Sequence, residues 1–203
     1  MKKKIVLVGG GGHCKVVIDA IRNSKKFSIY GIVDPNLPKG KVICGVKVIG
    51  TDDILQKLFK KGIRDAFISV GSIGNCEIRK RIHIKLMNLG FQLLVIVHPK
   101  AVVANGVKLG KGTFVAAGVV INPGVRIEEN AIINTSSSID HDCIIGNFVH
   151  IAPGATLSGG VKVGDESHIG VGANIVQNIR IGEKCLLRAG VTLLEDIKDG
   201  AKF

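Results

Sequence analysis

The chain has 203 residues, 46% of them apolar, and 28 Lys and Arg against 16 Asp and Glu give it a formal charge of +12. That length suits two compact units, and the basic balance favours small polyanions such as nucleotides and coenzyme A. With no Trp and a single Tyr, it offers few stacking platforms for nucleic acid. No apolar run is long enough for membrane insertion, and Ile5–Val8 is too short for a secretory signal. Five scattered Cys without metal-type spacing read as reduced thiols, which places the protein in the cytoplasm.

In chain order, Lys4–Val8 reads as a short β-branched strand. Gly9 to Gly12 and His13 follow, and the apolar spacing of Val16, Val17, Ile18 and Ile21 predicts a helix. Ser28–Val33 is a second strand that ends at Asp34-Pro35, and short extended segments lie between Gly40 and Ile49. Thr51 is expected to cap a helix reaching Lys61, with Asp52 and Asp53 in its first turn. Asp65–Val70 is a strand closed by Gly71, Asn75–Asn88 a helix, and Phe91–Val97 a last strand before His98-Pro99. Alternating strands and helices predict a Rossmann-like parallel sheet over residues 1–98.

The glycine run has a physical use. Free N–H groups at a helix start favour phosphate, and absent side chains let a ligand approach the backbone. The spacing departs from the dinucleotide fingerprint, because Cys14 stands where its third glycine belongs. It also lacks the Lys-Ser/Thr ending of a P-loop. The reading is therefore a nucleotide-diphosphate site at Gly11, Gly12 and His13; a NAD site and a merely tight turn are the alternatives. Asp34 and Gly71 end strands on the same sheet edge, where a ribose or base is expected; the alternative for Asp34 is a turn former before Pro35.

From residue 99 to 203 the pattern changes. The third residue of each six runs Val103, Leu109, Val115, Ile121 and so on to Leu193, sixteen aliphatic residues without a break. Three positions later come turn formers such as Gly106, Asn130, Ser136 and Asp142. A period of six fits neither a helix nor an alternating strand; it fits a parallel β-helix of hexapeptides, three to a coil. Each aliphatic side chain then stacks on the one eighteen residues away, at the ~4.8 Å strand spacing.

Three histidines fall in this half. His141 occupies a turn position between Asp140 and Asp142, so its ring should project outward. A carboxylate can hold one ring nitrogen and raise the basicity of the other, which suits a general base; the alternative is an ordinary surface histidine. His150 and His168 lie one coil apart and should stack, with no third ligand for a metal. Cys143 reads as packing.

Gly11–Val17, His98-Pro99 and the run Asn134–Cys143 together resemble the bacterial sugar acetyltransferases, a group of UDP-4-amino-sugar N-acetyltransferases and sialic-acid O-acetyltransferases. The resemblance spans essentially the whole chain. It implies an N-terminal Rossmann-like domain, a left-handed β-helix and a homotrimer with acetyl-CoA held between neighbouring copies, without a metal. It implies His141 as catalytic base with Asp142 as its partner, and coenzyme contacts from His150, Val171 and Ala189. The implied reaction is direct acetyl transfer from acetyl-CoA to the amine of a UDP-linked sugar, with a sialic-acid hydroxyl as the alternative acceptor. A non-catalytic or metal-binding β-helix scaffold is the alternative of another class. Pro35 replaces a second acid found in relatives, and Asp199–Phe203 lacks their Gly-x-Pro-Ala cap.

Overall fold

The computed structural model describes residues 2–203. Its first part holds β1 (Lys3–Val8), α1 (Gly12–Ser24), β2 (Phe27–Val33), β3 (Val42–Ile43), β4 (Val46–Gly50), α2 (Leu55–Lys60), β5 (Asp65–Ile68), α3 (Glu77–Asn88) and β6 (Gln92–Leu93). The sheet order is β3-β4-β2-β1-β5-β6, parallel except for the β3–β4 hairpin. Ile5 to Val8 are all buried, as expected of a central parallel strand covered on both faces.

Two elements differ from the sequence reading. The helix expected from Thr51 starts as a 3-10 turn over Asp52–Ile54 before α2. The Thr51 hydroxyl turns to the Asp53 carboxylate instead of capping a backbone N–H. The strand expected over Phe91–Val97 splits in two. Gln92–Leu93 pairs with β5, whereas Ile96–Val97 pairs with Phe114–Val115 of the second part. Phe91 and Leu93 pack in one core and Ile96 in another, so one apolar run serves both and periodicity cannot mark the break.

The second part is a three-sided prism, a left-handed β-helix of hexapeptide repeats. It contains sixteen two-residue strands, β7 (Ile96–Val97) to β22 (Thr192–Leu193). Pairing is parallel and eighteen residues apart, as in Phe114, Ile132, His150 and His168. The inward column of Ile121, Ile127, Ile133, Ile139, Ile145, Ile151 and Leu157 is buried. Lys184–Ala189 departs from the pattern: Leu186 makes only isolated bridges, to His168 and Lys202. Turn residues take the left-handed conformation, Asn130 at φ 58° and Asp142 at φ 61°. Asn and Asp tolerate it better than larger side chains.

The three faces differ outwardly. One, carrying Phe114, Ile132, His150 and His168, lies under the α/β part, where the His13 and Phe67 rings meet Phe114. A second presents small or neutral residues: Val102, Val120, Ser138, Thr156, Asn174 and Thr192. The third presents Lys108, Arg126, Ile144, Lys162 and Arg180. Among the described residues no helix is long and apolar enough to cross a membrane.

Candidate active site

A cavity of about 1050 Å³ opens at the carboxyl ends of β1, β2 and β5. One wall is the helix face Ile78, Arg81, Ile82 and Lys85 of α3, and its floor reaches the covered prism face at Asn134 and His150. Gly11, Gly12, His13, Asp34 and Gly71 all line it. The glycines have separate tasks. Gly9 sits at φ 107° with Val70 so close that any side chain would meet it at 2.3 Å. Gly11 and Gly12 face nothing within 4 Å, so the start of α1 is bare backbone open to an anion.

Asp34 first shapes this loop. Its Oδ2 accepts the Gly10 N–H at 2.7 Å and its Oδ1 the Asn36 N–H at 2.8 Å. His13 packs edge-on against Phe114, with ring centroids 5.1 Å apart. Burial, helped by the charge of Arg79, pulls the His13 imidazole down to about 3, so it is neutral. His13 Nε2 and Ser72 Oγ are buried on the cavity wall without a protein partner, and a polar ligand would satisfy both.

His150 is also buried. Its Nδ1 donates to the Ser72 carbonyl, and its Nε2 accepts from the Asn134 amide at 3.2 Å. Burial brings it down to about 4, with the Ser72 bond opposing the shift. The His168 ring meets it edge-on at 4.8 Å, so the two are neighbours without face-to-face stacking. Among the described residues no cluster of His, Cys, Asp or Glu is arranged to hold a metal ion.

Sequence reasoning missed Arg79, which is 1% exposed. Its guanidinium donates to the carbonyls of Ile68 and Val70 in one part and of Asn130, 3.0 Å away, in the other. It therefore pins the cavity rim to the prism. The one signal was positional: Arg79 shares the inward stripe of α3 with Ile82 and Leu86.

His141 and Asp142 stand elsewhere, on the edge between the neutral and basic faces. His141 Nδ1 lies 2.9 Å from Asp142 Oδ2, and its backbone N–H donates to Asp140 Oδ1 at 2.8 Å. Asn122 holds the same Asp140 oxygen at 2.7 Å. The His141 side chain is 62% exposed. Its pKa is raised, first by the Asp142 hydrogen bond and then by the Asp140 charge. The ring lies over Gly159 of the next coil, where an added Cβ would meet Nε2 at 2.6 Å. Val171 and Ala189 are exposed on the opposite edge of the neutral face, the edge that also carries Asn134. One copy of the chain thus brings together the glycine loop, His13, Asp34, Gly71 and His150, and keeps His141 and Asp142 apart from them.

A glycine-loop α/β domain followed by a regular hexapeptide prism is the architecture of the hexapeptide-repeat transferases. The domain described as "PglD N-terminal domain" matches residues 4–86. "Bacterial transferase hexapeptide (six repeats)" matches 124–159, and "Hexapeptide repeat of succinyl-transferase" matches 100–123 and 160–195. PerB from Caulobacter crescentus, solved in complex with CoA and GDP-perosamine, is 37% identical with a TM-score of 0.91, covering 98% of this chain and 92% of that one. The acetyltransferase domain of PglB from Neisseria gonorrhoeae FA1090 is 35% identical with a TM-score of 0.90, covering 99% and 96%. GDP-perosamine N-acetyltransferase from Escherichia coli O157:H7 is 30% identical over 126 residues, 62% of this chain and 55% of that relative. The match thus spans little more than half of that curated relative's length. The chain belongs to the bacterial sugar acetyltransferases with a hexapeptide-repeat fold.

Proposed function

We propose that the protein moves an acetyl group from acetyl-CoA to the amine of a nucleotide-linked 4-amino sugar, with His141 as general base. The observation that carries this is the 2.9 Å contact of His141 Nδ1 with Asp142 on an open edge. Acetyl-CoA supplies an activated thioester carbonyl. Asp142 holds the Nδ1 proton, so the Nε2 lone pair points outward and takes the proton the attacking amine sheds. The charge the ring gains is steadied by Asp142 and Asp140. As the tetrahedral intermediate collapses, the C–S bond breaks and the CoA thiolate leaves, taking up the proton His141 has gained. With both substrates bound together, transfer is direct and needs no covalent enzyme intermediate.

The glycine-loop cavity takes the nucleotide sugar. Its volume, the bare start of α1 and the unpartnered His13 Nε2 and Ser72 Oγ all suit a diphosphate with a polar sugar. The uridine nucleotide implied by the resemblance and the GDP-sugar of the perosamine relatives share that diphosphate. Titrating UDP and GDP side by side assigns the base.

The split site favours a ring of copies. Asn134, at the cavity, and Asp140 lie on opposite edges of the neutral face, six residues or about 20 Å along the chain. A base on one copy then serves the cavity of the next, and a homotrimer closes the ring. The deciding assay is thiol release from acetyl-CoA with UDP- and GDP-linked amino sugars and with free sialic acid. Release only with a nucleotide amino sugar supports the proposal. Release only with sialic acid makes the enzyme an O-acetyltransferase, and none at all removes the acetyl-transfer reading.

A further inference from the structure

Most of the chain's positive charge sits in its first quarter. Residues 1–50 hold ten Lys and Arg against two Asp, an excess of eight out of the twelve that the whole chain carries. Four of these cations converge on a second cavity of about 580 Å³, beside the first half of β2 and away from the glycine loop. Lys2 precedes β1, Arg22 and Lys25 close α1, and Lys47 lies on β4. All four are exposed, and none is in an ion pair among the described residues. No carboxylate of either part lines this cavity. Those of the α/β part lie elsewhere. Asp34 holds Gly10 and Asn36, and Asp19 faces His98 and Asn23. Asp52 pairs with Lys85, Asp53 takes the Thr51 hydroxyl, and Glu77 pairs with Lys80. Asp65 is buried on β5, with β1 between it and β2. The dipole at the end of α1 accounts for Arg22 and Lys25, since cations are favoured there. It does not account for Lys2 and Lys47, which arrive from other elements. Gathering unpaired like charges costs stability through self-repulsion, and a bound anion offsets it.

The cavity walls narrow the class of anion. β1 and β2 pair in register up to Ile5 and Ile29, then slip by one, so that Val6 faces Gly31 and Tyr30 has no partner. Such a bulge is rare between parallel strands, and it re-aims the extra side chain. Here that side chain is Tyr30, 40% exposed on the cavity wall with the partly buried Phe27 and Ile29. Lys4 Nζ stands 5.9 Å from its ring centroid. On the α1 side, Arg22 lies over the bare backbone of the β3–β4 turn, where a Cβ at Gly45 would meet Nη2 at 3.0 Å. An open aromatic face, an apolar floor and four cations suit a ligand with a planar ring and several phosphates. We propose that this cavity is a second ligand site and that it takes a nucleoside triphosphate. The base lies on Tyr30, Arg22 grips two phosphate oxygens at once, and Lys2, Lys25 and Lys47 add point charges. The two cavities sit at opposite ends of α1, thirteen residues or roughly 20 Å apart. Changes at one therefore leave the contacts of the other in place, and the inference does not rest on the acetyl-transfer reading.

The test is calorimetric titration of ATP, and of inorganic tripolyphosphate as a probe without a ring. Both go into the wild-type chain and into the R22A/K47A, K2A/K25A and Y30A variants. ATP binding to wild type is expected to weaken at least ~tenfold in each double variant, the scale of losing two charge-assisted phosphate contacts. Tripolyphosphate should weaken with it. Y30A should weaken ATP at least ~fivefold, the scale of one base stacked on an aromatic ring, and leave tripolyphosphate unchanged. Thermal melts of all three variants should match wild type, because the substituted side chains are exposed. The two double variants reach the site through different elements, so a fold lost in one leaves the other to decide. ATP bound equally by wild type and both double variants overturns the proposal and places the nucleotide in the glycine-loop cavity. An absence of ATP binding to wild type overturns it too. An equal loss of both probes in Y30A removes the base platform and with it the nucleoside. Binding confined to vesicles of phosphatidylglycerol in phosphatidylcholine, and lost in both double variants, overturns the site in favour of an anionic membrane surface.

Discussion

Two histidines nine residues apart on one scaffold have opposite surroundings. His150 faces the α/β part, buried, with both ring nitrogens committed to Ser72 and Asn134 and its pKa down near 4. His141 stands on an open edge beside two carboxylates, with its pKa raised and Nε2 without a hydrogen-bond partner among the described residues. A buried imidazole that stays neutral can orient a ligand but cannot readily take a proton. An exposed one held by a carboxylate can cycle between its two forms near neutral pH. The same hexapeptide geometry thus yields a fixed polar wall on its covered face and an exposed, carboxylate-held imidazole on an edge.

The sharpest way to break this comparison is to remove the exposed ring. His141→Ala should lower kcat at least ~10²-fold, the usual contribution of a general base. The thermal midpoint should stay put, because the ring is largely solvent-exposed. Near-normal turnover in steady-state kinetics would transfer the role to another group.

Arg79→Met tests the fixed wall. The change keeps much of the apolar stem and leaves the Ile68, Val70 and Asn130 carbonyls without their donor. Each buried acceptor left unpaired costs ~1–3 kcal/mol, so calorimetry should show a thermal midpoint several degrees lower. Nucleotide affinity should fall with it, because the clamp holds the cavity rim to the prism. An unchanged midpoint would mean that the guanidinium's own desolvation cancels its bonds.

The prism was legible because its repeat is both the sequence pattern and the structure. Each aliphatic third residue must point inward, and each sixth must turn, so sixteen matches leave little freedom. The α/β part was legible in type and less so at its joints. The run Phe91–Val97 is apolar throughout, yet it feeds two cores, and only three-dimensional contact separates them. His141 and Asp142 could be singled out because adjacent residues in a turn necessarily meet. Arg79 could not, since its three partners lie eleven, nine and fifty-one residues away. That the predicted site residues occupy opposite edges was implicit in the six-residue count, but which face the α/β part covers was not.

Gly159→Ala sharpens the contrast more gently. The position is not among the glycines with positive φ, so alanine fits the backbone. Its methyl would stand 2.6 Å from His141 Nε2, and the ring must swing aside. Displacing a catalytic group by about an ångström costs on the order of tenfold to a hundredfold in kcat. Folding should be unaffected, and wild-type kcat in the variant would show that the ring's resting position is not its working one.

Asp142→Asn gives the smallest effect and the most specific one. The Asp142 hydrogen bond is the largest cause of the raised His141 pKa, with the Asp140 charge second. A raised pKa means that the ring loses its proton at higher pH than an ordinary histidine, so the rate climbs late on the acid side. Asparagine removes the partner charge and weakens the bond while Asp140 remains, so the His141 pKa must fall. The acid limb of kcat/KM should therefore move to lower pH. The high-pH plateau should fall too, because a less basic nitrogen takes the amine proton less well and Nδ1 is no longer held by a charged acceptor. A limb that stays in place would assign the rise to another group. A limb that moves to higher pH would mean that Asp142 destabilises the charged ring, against the 2.9 Å contact between them.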